Sequence, residues 1–115
     1  MLLRDKDKQA LLNIFSLIDS SIEVWAYGSR VNGTAHEGSD LDLVIRTPNL
    51  EKLPIDTFLE IKEKITESNI PILVDVFDWA RLPESFHQNI ESHHKLLFSN
   101  FPSNLNEPPV NYGIA

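Results

Sequence analysis

Residues 40–46 (DLDLVIR) alternate apolar and polar almost throughout, and a period of two is what a β-strand with one buried face requires. Leu41, Leu43 and Ile45 fall on one side of such a strand, and Asp40, Asp42 and Val44 fall on the other. Two further segments suit neighbouring strands. Residues 22–27 (IEVWAY) are rich in β-branched and aromatic side chains, and 72–77 (ILVDVF) read as a largely buried strand. Between and around them, apolar residues recur at helical spacing over 4–19, 55–68 and, after Pro83, to about residue 92. Gly28-Ser29 marks a strand running into a helix N-terminus, and the polar stretch 31–39 reads as a turn or loop. The order α-β-α-β-α-β-α implies an α/β or α+β domain with a small mixed β-sheet and flanking helices. Residues 95–98 form a short apolar piece that the pattern does not assign, and no internal repeat is present.

A chain of 115 residues has room for one such core. The division expected is a domain over 1–98 and a tail over 99–115, which holds three of the seven prolines and no Lys or Arg. That tail reads as flexible, or alternatively as a docking peptide using Phe101, Leu105, Val110 and Tyr112. Ten Lys/Arg against seventeen Asp/Glu leave a net charge of −7, which argues against binding duplex nucleic acid through a basic surface. A single nucleotide is not excluded, because a divalent cation can bring the missing positive charge. The absence of Cys removes disulfides, thiolate zinc sites and cysteine nucleophiles. No apolar run approaches the roughly 20 residues of a membrane span. Asp5 and Asp7 cancel the basic residues ahead of the first apolar run, so a helix rather than a signal peptide is expected, in a cytoplasmic protein.

Three features carry chemistry. Asp40 and Asp42, two apart on a strand, project from the same face with Cα atoms roughly 6.5 Å apart. Such a pair is either a solvated strand face or a seat for Mg²⁺, which favours a few carboxylates plus substrate phosphates. Gly28-Ser29 at a strand-to-helix turn lets backbone N–H groups approach an anion, although a simple turn with a serine cap would look the same. Asp75 lies amid Ile72, Leu73, Val74, Val76 and Phe77, where a carboxylate is costly to bury unless paired or metal-bound. If its strand adjoins 40–46, the three carboxylates can gather around one or two cations, as in two-metal phosphoryl transfer, with Asp75 also accepting a proton. Asp78, three residues on, should face the other way and cap or turn the strand end.

Together, Gly28-Ser29, ten intervening residues, Asp40-x-Asp42 and a later strand aspartate resemble the DNA polymerase β-like nucleotidyltransferase superfamily. The fuller run GSRVNGTAHEGSDLDLVI and the later VDVFDWA are similar to its minimal nucleotidyltransferase branch, over about residues 22–90. The resemblance implies the polymerase β-like fold and transfer of a nucleoside monophosphate, AMP from ATP, to a hydroxyl. Asp40, Asp42 and Asp75 would hold Mg²⁺, two ions in this family's pattern, and Asp75 would act as base. Gly28 and Ser29 would contact the triphosphate, with Arg30 nearby as a phosphate partner.

Family members of this size lack an acceptor domain and are commonly paired with a helical HEPN-type toxin, whose tyrosine they adenylylate as antitoxins. A homodimer or hetero-oligomer is compatible with that size. Two alternatives are a module that neutralises its partner by contact, and an enzyme acting on a small molecule such as an antibiotic. The remaining residues weigh less. His87, His93 and His94 match no zinc spacing and read as surface groups, while His36 sits between the two motifs, where it either touches nucleotide or lies at the surface. Trp25 reads as core, Trp79 as core or partner contact, and Arg46 and Arg81 as solvated charges or phosphate contacts.

Overall fold

A computed structural model describes residues 3–33 and 40–101. Residues 34–39 of the expected loop, His36 among them, and residues 102–115 of the expected tail lie outside the described residues.

The elements run α1 (Asp5–Ser16), β1 (Glu23–Tyr27), α2 (Ser29–Asn32), β2 (Leu41–Arg46), α3 (Ile55–Thr66), β3 (Val74–Asp78), a 3₁₀ turn (Trp79–Arg81), α4 (Glu84–Ser92) and β4 (His94–Ser99). The mixed α/β architecture expected from the alternation of patterns is the one observed. The four strands form one sheet in the order β3-β2-β1-β4. β1 runs antiparallel to both β2 and β4, whereas β2 and β3 are parallel. A parallel pair needs a crossover, and α3 supplies it.

The alternation of 40–46 decides which side of the sheet is covered. Leu41, Leu43 and Ile45 are fully buried in the main core with Val24 and Ala26 of β1, Leu11 and Phe15 of α1, and Ile61 of α3. Leu11 and Phe15, and likewise Ile61 and Ile65, are four residues apart, so each helix lays one stripe on the sheet. Asp5 and Asp7 sit in the first turn of α1, and Asp56 opens α3 while Lys64 closes it, in the sense that complements the helix dipoles. The opposite sheet face carries a second, smaller cluster of Val44, Trp79 and Ile90, with Trp25, Tyr27 and Phe77 packed against it. Among the described residues, α4 and the 3₁₀ turn cover only part of that face.

Three boundaries differ from the sequence reading. Residues 95–98, left unassigned, belong to the edge strand β4, whose burial does not alternate cleanly and whose pairing with β1 shifts register between Val24 and Trp25. The sheet also reaches into the segment read as tail. Ser99 pairs with Glu23, and the Asn100 side chain accepts from the Ile22 N–H at 2.7 Å and donates to the Ser20 carbonyl at 3.0 Å. Local composition hides this because the anchor is one polar side chain, not an apolar run. β3 starts at Val74 rather than residue 72, and Leu73 is exposed.

Candidate active site

Register places the chemistry. In β1, β2 and β3 the residues Tyr27, Asp42 and Asp75 are directly opposite one another, forming a row across three strands on the partly covered face. Neighbouring strands are about 4.8 Å apart, so the Asp42 and Asp75 carboxylates are adjacent. This is the meeting of strands on which the candidate site depended. Asp40, one residue before β2, is exposed, and the backbone is already registered there because Leu41 N–H donates to the Leu73 carbonyl at 2.9 Å. Among the described residues, no three carboxylate or imidazole groups are already gathered as one ligand set. Asp42 and Asp75 form the close pair, and Asp40 stands at the rim.

Electrostatics report the same grouping. Burial, then the charge of Asp75 and that of Asp40, raise the Asp42 carboxyl above its ordinary value of 3.8. The Tyr27 phenol is pushed up to about 12, chiefly by burial and further by Asp42 and Asp75. Neighbouring carboxylates that raise one another in this way are a donor set suited to a hard divalent ion, whose preference is for oxygen ligands.

Gly28 ends β1 beside this pair. Its φ of 85° and ψ of −159° lie in a region that is essentially glycine's alone. A Cβ there would stand 2.5 Å from Asp42 Oδ2, so the missing side chain is what leaves room for the carboxylate. The chain then makes the single helical turn α2, from Ser29 to Asn32, which Gly33 terminates with a φ of 90°. Part of the stretch expected to be loop is thus helical, since α2 takes in Val31 and Asn32. Ser29 is half-buried, and Arg30 is buried, 6% exposed. Arg30's charge reaches back to Asp7 of α1, whose carboxyl is held below the usual range mainly by hydrogen bonds from Arg4 at 2.9 and 3.1 Å.

Asp78 takes the other role expected of it. It is buried on the core side, accepting from Leu53 N–H at 2.9 Å, Ala80 N–H at 3.2 Å and Arg81 Nε at 3.1 Å. Arg81 also donates to the Leu53 carbonyl at 3.1 Å, so it clasps a loop instead of reaching for phosphate. Arg46 is likewise structural. It pairs with Glu23 at 3.0 Å, and its guanidinium lies 4.0 Å and 4.6 Å from the ring centres of Trp25 and Trp79. Trp79 is core, 5% exposed, with its edge toward Trp25 and the His87 ring stacked on it at 3.9 Å. His94 stacks on Trp25 at 3.7 Å. These two histidines complete aromatic packing, a use that their spacing does not announce. Sequence reasoning also passed over Tyr27 as a neighbour of the carboxylates. The signal was available, because Tyr27 is the last residue before Gly28 and odd-numbered along β1 like the face-sharing Trp25.

Beside Gly28 a cleft of about 520 Å³ opens between the end of β1 and α4.

Comparison with known proteins agrees with this geometry. Residues 9–102 match the family model described as "Polymerase beta, Nucleotidyltransferase". A curated relative from Haemophilus influenzae, "Probable protein adenylyltransferase MntA", is 44% identical over 69 residues, covering 58% of this chain and 57% of that protein. The chain therefore spans little more than half the length of that relative. A solved structure of a toxin–antitoxin with AMP-PNP superposes with a TM-score of 0.66 at 18% identity, over 87% of this chain and 78% of the other, a likeness of fold. With a family match over most of its length, and with the glycine turn and strand aspartates in one row, the chain belongs to the polymerase beta nucleotidyltransferase family.

Proposed function

We propose that the protein is a Mg²⁺-dependent adenylyltransferase that modifies a partner protein and so acts as the antitoxin of a toxin–antitoxin pair. The observation that carries this reading is the in-register pairing of Asp42 with Asp75 beside the side-chain-free Gly28. The likeness to the probable protein adenylyltransferase of Haemophilus influenzae supports protein adenylylation, and the toxin–antitoxin solved with AMP-PNP supports both a nucleotide and a partner. The acceptor proposed is a tyrosine hydroxyl of a helical HEPN-type protein. An acceptor on a partner suits a domain whose described part leaves the carboxylate face only partly covered.

In the reaction proposed, the acceptor oxygen attacks the α-phosphorus of ATP. A new O–P bond forms, the bond between the α-phosphorus and the bridging oxygen breaks, and pyrophosphate leaves. Asp75 accepts the acceptor's proton. Asp42 and Asp75, with Asp40 at the rim, would hold Mg²⁺, which supplies charge neutralisation for the triphosphate and the leaving oxygen. Gly28 and Ser29 present backbone and hydroxyl to the phosphates, and Arg30, buried in the turn that follows them, is the nearby cation of this reading. The catalytic unit ends near residue 101 in this reading, with the rest of the chain as a tail, and the protein works in the cytoplasm as a homodimer or with its partner.

Incubating the protein with α-labelled nucleoside triphosphates, Mg²⁺ and the product of the adjacent gene tests the proposal. Label on a tyrosine of that protein, lost with Asp75→Asn, is the expected result. Neutralisation of the partner without any label transfer would leave a binding module, and label on a small molecule in place of the protein would leave an antibiotic-type enzyme.

A further inference from the structure

We infer that the cleft between the end of β1 and α4 seats the nucleoside half of the substrate, and that Asn89 selects an adenine base there. The inference rests on the nucleotidyltransferase reading and names the part of that site which sets base preference.

The cleft's place is the first argument. Tyr27 and Gly28 form one wall, and Gly28 is the residue whose absent Cβ leaves room for the Asp42 carboxylate. A triphosphate at the carboxylates therefore has this cleft next to it. Its volume of about 520 Å³ lies within the roughly 300–1,000 Å³ of small-molecule sites.

Its lining is the second. Phe86, Asn89 and Ile90 share one face of α4 and, with Ser92 and the residue after the helix, His93, form the other wall. Among the described residues, no Lys, Arg, Asp or Glu lines the cleft. An uncharged moiety belongs there, and the nucleoside is the uncharged part of a nucleoside triphosphate. Phe86 is 49% exposed, leaving much of an aromatic surface open for stacking on a base. Asn89 is exposed and, among the described residues, its side-chain amide makes no hydrogen bond. A carboxamide offers one donor edge and one acceptor, which matches the N6 donor and N7 acceptor of adenine. Guanine presents two acceptors at the same edge. A tyrosine acceptor would use only one polar group and would leave the amide unanswered, which favours the base as occupant.

The test is calorimetric titration of the full chain, in Mg²⁺, with AMP-PNP, its guanosine counterpart and inorganic tripolyphosphate. The wild-type protein should prefer AMP-PNP. Asn89→Ala should weaken AMP-PNP binding roughly 10–100-fold, the range of one bidentate base contact, and erase the preference over guanosine. Phe86→Ala should weaken both nucleotides by a similar factor, because stacking accepts any base. Tripolyphosphate binding should be unchanged in both variants, which also shows that they fold. An unaltered adenine-to-guanine ratio in Asn89→Ala would overturn the inference. So would unaltered nucleotide binding accompanied by a raised KM for the acceptor, which would assign the cleft to the acceptor. Asp42→Asn separates the two levels. If it abolishes binding of all three ligands while Asn89→Ala does nothing, the base assignment alone fails. If it alters none, the nucleotidyltransferase reading fails with it.

Discussion

At the scale of single residues, the carboxylate row works against the fold that creates it. The Asp42 carboxyl has its folded pKa raised, by burial first and then by Asp75 and Asp40. A raised pKa means that the folded state binds the proton more tightly than the unfolded one. The contribution to stability is then greatest below the ordinary value of 3.8 and is lost as pH rises through the folded pKa. In chelator, Asp42→Asn should stabilise the protein at pH 7 by roughly 0.2–1 kcal/mol, the range for a like-charge pair facing across strands. The gain should shrink toward zero on acidification, as thermal melts from pH 7 to pH 3 would record. A stability gap independent of pH would point to packing instead of charge. Gly28 is constrained in the opposite direction. Gly28→Ala meets both an unfavourable backbone region and Asp42 Oδ2, so a loss of about 1–3 kcal/mol is expected from conformation alone. Denaturant titration gives the loss, and nucleotide titration of the surviving folded fraction should show weakened binding. Tyr27 offers a spectroscopic readout of the same row. Its phenol, at about 12, should titrate above an ordinary tyrosine, and the midpoint should fall in Asp42→Asn once one of the two neighbouring charges is gone.

At the scale of elements, each strand's two faces do different work, and this governs what could be read without coordinates. β2 was legible because one face is wholly apolar and the other begins with two aspartates. The parity of its residues assigned Asp42 to the site side and Leu43 to the core side. Asp75 and Asp78 separated for the same reason, being an odd number of positions apart on β3. What parity cannot supply is the neighbour: nothing in 72–77 states that it pairs in parallel with β2 in the register Asp42 to Asp75. β4 was illegible for a related reason. As an edge strand it has one bonded neighbour, a register shift, an exposed Leu96 and a His94 hidden by stacking on Trp25, so its polarity no longer reports burial. Asp78 marks where an element joint is held. Removing its carboxylate strands Leu53 N–H and Ala80 N–H and releases Arg81. Asp78→Ala should cost about 2–4 kcal/mol, less than for a fully buried ion pair because Arg81 is partly exposed. Chemical denaturation would measure it, and Mg²⁺-nucleotide affinity at low denaturant should stay nearly unchanged.

At the scale of the whole molecule, the sheet closes only when its last strand returns to β1. Leu97 is buried in the main core, and Phe98 packs on Phe15 with ring centres 5.9 Å apart. Asn100 then ties the strand end to Ile22 and Ser20. A chain ended after His93, which removes all of β4, should fail to fold cooperatively. Circular dichroism melts check this, and a cooperative transition near that of the full chain would show that the other three strands suffice. Across this scale the same row of register pairs sets both what the core buries and what the open face displays. Sliding β3 by a single position against β2 would turn Asp75 inward among the aliphatic side chains and Val76 outward onto the carboxylate face. The domain therefore has no packed form in which its acids are merely loosened: an error in assembly is penalised as a buried charge before it can appear as a sluggish catalyst.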